Sequence, residues 1–283
     1  MDIKIIIFLL SKIASGIAIA QVLPLFLTFC YGEDCYTSFI FSIATALLFS
    51  FACKRYCGDA DAKDLSVREG IAAVFFSWIL AALLAGLPYC FEGLLDPASA
   101  YFESMSGLTT TGATAIANLD IVPRSIIIWR PASPDNKAQS CLLPAGGIKI
   151  CRFIVLLKTV AAELRHTLHP QMLLNIYYNK KRLPTETIIN VSRFFFMYIL
   201  VVAVLSLVIT LGGMPVDDAV FGVASCVSSV GPAFGSIGAT STYADVSHMG
   251  KLALALAMLL GRLELFTVLA LLRKEYWRSS KRW

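Results

Sequence analysis

Charge is scarce in this 283-residue chain. Asp, Glu, Lys and Arg make up 15% of it against 57% hydrophobic residues, and the mean hydropathy is +0.72. A soluble globular domain carries about a quarter charged residues, so the composition points into a membrane. Histidine is scarcer still, with three in all, and His166 and His169 fall before Pro170 in a turn rather than at ligand spacing. The eight cysteines contain no Cys-x-x-Cys pair, which leaves no metal site to argue for. Cys30 and Cys35 flank a short acidic turn and are candidates for a disulfide in an oxidising periplasm, whereas Cys53 and Cys57 lie on the opposite side and stay reduced; Cys90, Cys141, Cys151 and Cys226 are scattered. A glycine loop ending in Lys and a His-Glu-x-x-His pair are both missing, so a nucleotide-driven engine and a zinc protease have no machinery here. No nucleophile and base can be paired, and the chain is read as no enzyme, with no covalently bound cofactor. The formal net charge of +5 is no argument for nucleic acid, because what counts is where the basic residues fall.

They fall between long apolar runs. Ile5–Tyr31 is too long for a signal-peptide core and ends in no Ala-x-Ala site, so it is expected to stay as a helix. Tyr36–Cys53, Gly70–Phe91 and Phe194–Val216 are uncharged and long enough to span. A last apolar run, Leu252–Leu272, is broken only by Arg262 and Glu264. With the N-terminus in the cytoplasm, the inside segments 54–69, 149–193 and 273–282 hold 4, 8 and 5 Lys or Arg, while the outside stretches 32–35 and 92–122 hold none. That is the distribution the positive-inside rule selects. It puts both termini in the cytoplasm, with the chain crossing the membrane several times. Within the middle segment, Ile148–His169 reads as an amphipathic basic helix at the cytoplasmic face, carrying Lys149, Arg152, Lys158 and Arg165.

Two short stretches do not fit the pattern of plain spans. Asp96-Pro97 is an acid at the N-cap followed by Pro at the first helical position, so a short helix should run to about Ser106 and deliver its negative end to Thr109-Thr110-Thr111-Gly112. Further on, Pro215-Val-Asp217-Asp218 starts a second short helix through Ser225, followed by Ser228-Ser229-Val230-Gly231-Pro232. Aligning Gly112 with Gly231 gives an offset of 119 residues, at which Ala100 meets Ala219, Phe102 meets Phe221 and Ser106 meets Ser225. The identity is weak, but the order of elements is the same. A helix end aimed at a strand of small residues suits a cation: the dipole favours positive charge, and strand carbonyls replace the ion's water. Glycine lets the backbone take unusual angles and leaves no side chain in the path.

The run Phe102–Thr114, followed by Leu119-Asp120, Pro123-Arg124-Ser125 and Trp129-Arg130, resembles the first pore repeat of the Trk/Ktr/HKT family of potassium transporters, in particular the bacterial Trk membrane subunit. Ala145-Gly146-Gly147-Ile148-Lys149 with Arg152 resembles the end of that family's third repeat. Gly231-Pro232 with Gly261-Arg262-Leu263-Glu264-Leu265-Phe266-Thr267 resembles its fourth. The resemblance implies potassium uptake through a backbone-carbonyl selectivity filter formed by Thr110, Thr111 and Gly112 with Ser229, Val230 and Gly231. It also implies a gate near Gly146, Gly147 and Lys149 with Arg262 beside it, and a cytosolic nucleotide-binding regulatory subunit as partner. The bland reading of Arg262 is a charge paired inside the bundle, and that of Thr109–Thr111 a capped turn.

The fold expected is all-α: a polytopic membrane protein of helix–pore loop–helix repeats, potassium-channel-like, with about five full spans and two re-entrant pore helices. Its parts are an N-terminal two-helix hairpin (1–57), a first pore repeat (65–130) whose second helix Pro131 and Pro134 cut short, a junction of no family character (131–143), a remnant of the third repeat with a basic segment (144–183), and a fourth pore repeat with a basic tail (184–283). The second repeat and most of the third are missing against the family pattern. Two filter strands do not surround an ion alone, so the chain is expected to pair with a second copy or a fuller relative; the alternative is a non-conducting fragment or remnant.

Overall fold

The computed structural model describes residues 3–57, 66–118, 121–130, 150–168, 177–178, 181–238, 241–263 and 265–277. It is helical almost throughout. Four helical stretches are long and apolar enough to cross a membrane, Ile3–Tyr31, Tyr36–Cys57, Val67–Phe91 and Thr185–Leu211, and a bent pair at the C-terminus makes a fifth if counted as one.

The first stretch is two helices, α1 (Ile3–Ala20) and α2 (Val22–Tyr31), and the break between them has a use. Gln21 is buried; its amide donates to the Leu84 carbonyl at 3.2 Å and accepts the Ser42 hydroxyl at 2.9 Å. Leu84 needs that donor because Pro88, four residues on inside α4 (Val67–Phe91), has no N–H to give it. One side chain thereby joins the first stretch, α3 (Tyr36–Cys57) and α4. At its other end α4 starts on a reciprocal capping box, Ser66 Oγ accepting from Glu69 N and Glu69 Oε2 from Ser66 N.

The short helix after Asp96 is α5 (Pro97–Leu108), two residues longer than its sequence suggested, with the Asp96 carboxylate capping the N–H groups of Ala98 and Ser99. It lies tight on α4: a Cβ on Gly86 would stand 3.1 Å from the Ala100 carbonyl oxygen. The expected cut-short helix is α6 (Arg124–Trp129), and the junction 131–143 lies outside the described residues, as do Leu119 and Asp120. The basic amphipathic helix is α7 (Ile150–Leu168); it packs on α8 (Thr185–Leu211), with the Arg152 guanidinium 4.2 Å from the centroid of the Phe194 ring. Between them lies the departure from a purely helical chain, an antiparallel two-residue pair of β1 (Tyr177–Tyr178) and β2 (Lys181–Arg182).

The second short helix is α9 (Val216–Val227), followed by a turn of 3-10 helix at Gly235–Ile237. The uncharged run expected to span to Val216 stops at Leu211. There Gly212 lies against Ser247, and Gly213 takes φ +95°. The last expected span is bent rather than straight. It is α10 (His248–Arg262) and α11 (Leu265–Leu271), bent by 111° where they meet; a short α12 (Lys274–Trp277) follows. The bend follows Arg262, a charge that a straight helix would have carried through the apolar layer. The Cys30–Cys35 bridge is not formed: Cys30 is exposed, while Cys35 is buried with its Sγ 3.2 Å from Ser125 Oγ, because the turn after Gly32 sends it toward α6.

The main core gathers the two short helices and α10 around Phe102, Met105, Val227, Tyr243, Leu254 and Met258. α10 runs along both α5 and α9. Its Gly261 has no room for a Cβ, which would lie 2.0 Å from the Val227 carbonyl oxygen.

Candidate functional site

At the end of α5 the chain makes a distinctive hook. Thr109 N–H still bonds Met105 O, Thr110 N–H bonds Gly107 O at 3.1 Å, and Thr111 N–H reaches back to Ser106 O at 2.9 Å. Thr110 is left-handed at φ +58° and Gly112 at φ +81°. Ser106 Oγ then donates to Ala113 O at 2.6 Å, holding the strand upright beside the helix that precedes it.

The end of α9 repeats this bond for bond, 119 residues later. Ser228 N–H goes to Ala224 O, Ser229 N–H to Cys226 O at 3.1 Å and Val230 N–H to Ser225 O at 3.0 Å. Ser229 is left-handed at φ +55° and Gly231 at +90°, and Ser225 Oγ donates to Pro232 O at 2.7 Å. A left-handed non-glycine residue costs roughly 1–2 kcal/mol. Thr110 and Ser229 are the non-glycine residues with positive φ among the described residues, so the strain sits at equivalent positions of the two units.

The two strands touch. A Cβ on Gly231 would lie 2.2 Å from Thr111 O and 3.0 Å from Ala113 N, whereas one on Gly112 would meet nothing within 4 Å. Tyr243 fastens them: its hydroxyl donates to Gly231 O at 2.8 Å, its own N–H to Thr114 O at 2.7 Å, and its ring packs 5.3 Å from that of Phe102. The six strand residues named from the sequence, Thr110, Thr111, Gly112, Ser229, Val230 and Gly231, are thus brought to one place. Each strand stands at the C-terminal, electronegative end of a twelve-residue helix. Ser229 Oγ is buried there without a hydrogen-bond partner among the described residues.

Around the strands stand residues that the sequence reading did not assign. Glu103 on α5 is buried; its Oε2 accepts Ala115 N–H at 2.7 Å and the Thr114 hydroxyl at 3.2 Å, and its Oε1 is 2.6 Å from Arg130 Nε. The signal was available, since an ionisable side chain inside a membrane segment asks for a partner. Lys251, also buried, donates to Ser99 Oγ at 2.7 Å and Ala244 O at 2.9 Å, joining α10 to the start of α5. In the second unit Asp218 does a related task, accepting Ser236 N–H at 3.2 Å and the Ser236 hydroxyl. At the start of α5 His248 Nδ1 is 2.9 Å from Asp96 Oδ2. Asp96 is partly buried, which raises its carboxyl, but bonds from Ser99 and the nearby charges of Lys251 and His248 hold it below the usual range.

The four residues named for gating are not assembled in what is described. Gly146, Gly147 and Lys149 lie outside the described residues. Arg262 closes α10, half-buried rather than mid-span, with its guanidinium 5.8 Å from the centroid of the Trp78 ring; Glu264 is outside the described residues.

Residues 142–280 match the family model of TrkH, described as a cation transport protein. The chain is 36% identical over 136 residues to the Trk system potassium uptake protein TrkI of Halomonas elongata, a match covering 48% of this chain and 28% of that protein. It is 29% identical over 224 residues to the Trk system potassium uptake protein TrkH of Escherichia coli K12, covering 77% of this chain and 44% of that protein. The chain thus spans less than half the length of these curated relatives. The crystal structure of the potassium transporter TrkH from Vibrio parahaemolyticus superposes with a TM-score of 0.85 at 17% identity, over 98% of this chain and 100% of that one, a likeness of fold.

Proposed function

We propose that the chain, whose residues 142–280 match the TrkH family model, is a cation transport protein of that family and takes up potassium across the inner membrane of a bacterium through a filter of backbone carbonyls. The observation that carries this reading is the repetition, 119 residues apart, of one hook with the same hydrogen bonds and the same two left-handed positions, on strands in direct contact. Carbonyls on such strands can replace the water around an ion, and two short helices aim their negative ends at it. Thr110, Thr111 and Gly112 with Ser229, Val230 and Gly231 form the filter; Gly146, Gly147, Lys149 and Arg262 form the gate below it. Both strands enter from outside, with both termini in the cytoplasm, where a nucleotide-binding regulatory subunit meets the basic segments. One glycine per strand makes a less exacting filter than a glycine-tyrosine-glycine signature. The ring is completed by pairing, with a second copy or a fuller relative.

Purified protein in vesicles, assayed for rubidium uptake with and without competing sodium, tests the reading. Uptake that potassium competes for and sodium does not is the expected result; equal competition by the two removes the filter. A second reading, a non-conducting remnant, is favoured by the chain's spanning less than half of its relatives. It predicts folded protein in the membrane with no uptake at all.

A further inference from the structure

The two pore units share a local structure but not their cover. At the 119-residue offset, Phe102 is 0% exposed and Phe221 47%; Thr111 is 0% exposed and Val230 43%. In the first unit the cover comes from the second. Tyr243 packs its ring on Phe102, and α10 lies along α5 with Lys251 on Ser99. On the second unit the same flank is open among the described residues: Phe221 and Phe234 pack edge to face with centroids 5.3 Å apart, and Val220 and Val230 stand exposed beside them.

Neither lipid nor water suits that flank. Val230 and Phe234 belong to non-helical backbone, which at membrane depth is tolerated only inside protein or along a watery cavity. Water suits a strand that lines a pathway but not a pair of aromatic rings. What covers the equivalent flank in the same chain is a pore unit, through its post-filter segment and the helix after it.

We infer that the open flank at Phe221 and Phe234 is the docking face for the first pore unit of a second copy of this chain. The residue equivalent to Tyr243 in the first unit is Arg124, at the head of α6, and it is exposed. Asp217, in the first turn of α9 beside the open flank, is exposed as well, so the guanidinium of the arriving arm finds a carboxylate on the receiving face. A two-fold axis applies both contacts at once, each copy offering the same pair of surfaces. Two strands from each copy then make four, the number of loops that surround the ion in potassium filters. Docking rests on the proposed filter only through that number; the unequal cover of Phe102 and Phe221 stands without it.

Two differently tagged full chains, with native cysteines replaced by alanine, one carrying Phe221→Cys and the other Arg124→Cys, are co-expressed and treated in the membrane with a short bis-maleimide cross-linker. The expected product joins the two tags and needs both cysteines; moving the Phe221 cysteine to the exposed Leu207 on α8 abolishes it. The purified unmodified chain, weighed intact out of detergent, should be two copies, and Phe221→Arg should bring it to one. This measurement decides the matter if the cysteine-free chain does not fold. A single copy in the unmodified protein overturns the docking, as does a longer chain found in place of the second copy. Rubidium uptake measured on the same preparations separates the two readings: cross-linked pairs without uptake remove the filter and leave the docking, while uptake by a single-copy species removes the docking and leaves the filter.

Discussion

Glu103 and Arg130 approach to 2.6 Å, with side chains 0% and 5% exposed, and this pair joins the strand leaving the first hook to the end of α6. A buried pair of this kind is a weak net stabiliser, but removing one partner strands the other charge in apolar surroundings at a cost of about 3–5 kcal/mol. Glu103→Ala and Arg130→Ala should each lower the unfolding midpoint in detergent strongly. The apolar double replacement Glu103→Leu with Arg130→Met should lose clearly less than the sum. Strictly additive losses in the double-mutant cycle would show that the two charges are not coupled.

Those parts of the site that rest on neighbours in sequence were legible before the fold was known. Asp96-Pro97 is a local capping device, and α5 begins where it says. Ser106 and Ser225 were aligned by the offset alone, and both prove to hold a strand by one hydroxyl. What was not legible depends on residues far apart in the chain. Tyr243 lies 129–133 positions after the strand residues Thr110–Thr114, with which it shares a bond at Thr114, and nothing in its own surroundings marks it. Arg130 meets a glutamate 27 positions earlier. The bend after Arg262 escaped notice because no proline marks it, and hydrophobicity alone continues across it. The Cys30–Cys35 bridge was plausible by spacing, yet the direction in which each side chain leaves the turn decides it, and that is set by Glu33 and Ser125 on opposite sides of the contact.

The two strand glycines differ in what a side chain would meet. Both have left-handed backbone, so either substitution carries roughly 1–2 kcal/mol of strain. Gly231 additionally has the Thr111 carbonyl where a Cβ would go, whereas Gly112 faces open space. Gly231→Ala should therefore sharply reduce the yield of folded protein in size-exclusion chromatography. Gly112→Ser should fold and instead weaken discrimination between rubidium and sodium in uptake. Unchanged sodium competition in the Gly112→Ser protein would remove Gly112 from the filter.

Glu33 holds the head of α6 from the turn between α2 and α3, accepting the N–H of Arg124 at 2.7 Å and of Ser125 at 3.1 Å, and the Ser125 hydroxyl at 2.5 Å. Partial burial raises its carboxyl, but the bonds from Ser125 and Arg124 outweigh this and hold it below the usual carboxylate range. A lowered carboxyl contributes stability that is present in full above its unfolded value and is lost as pH falls through the folded one. The wild-type midpoint should thus drop on acidification below about pH 4 more than that of Glu33→Gln, which should already be lower at neutral pH. Parallel acid curves for the two proteins would show that α6 does not depend on this contact.

Arg262 offers the clearest division between a role in the pathway and a role in the scaffold. It ends α10 at the bend, half-buried, with Trp78 of α4 beneath its guanidinium. A contact of that kind at a partly exposed site is worth about 0.5–1 kcal/mol, so its loss should leave the amount of folded protein nearly unchanged. A fixed positive charge below the filter would, by contrast, oppose every cation that passes. Arg262→Ala and Arg262→Gln should therefore raise rubidium uptake per folded molecule, or make it less dependent on the regulatory partner, while Arg262→Lys should stay near wild type. Folded amount and flux have to be read from the same membranes. If both fall in proportion in Arg262→Ala, the side chain supports the bend and the barrier lies elsewhere.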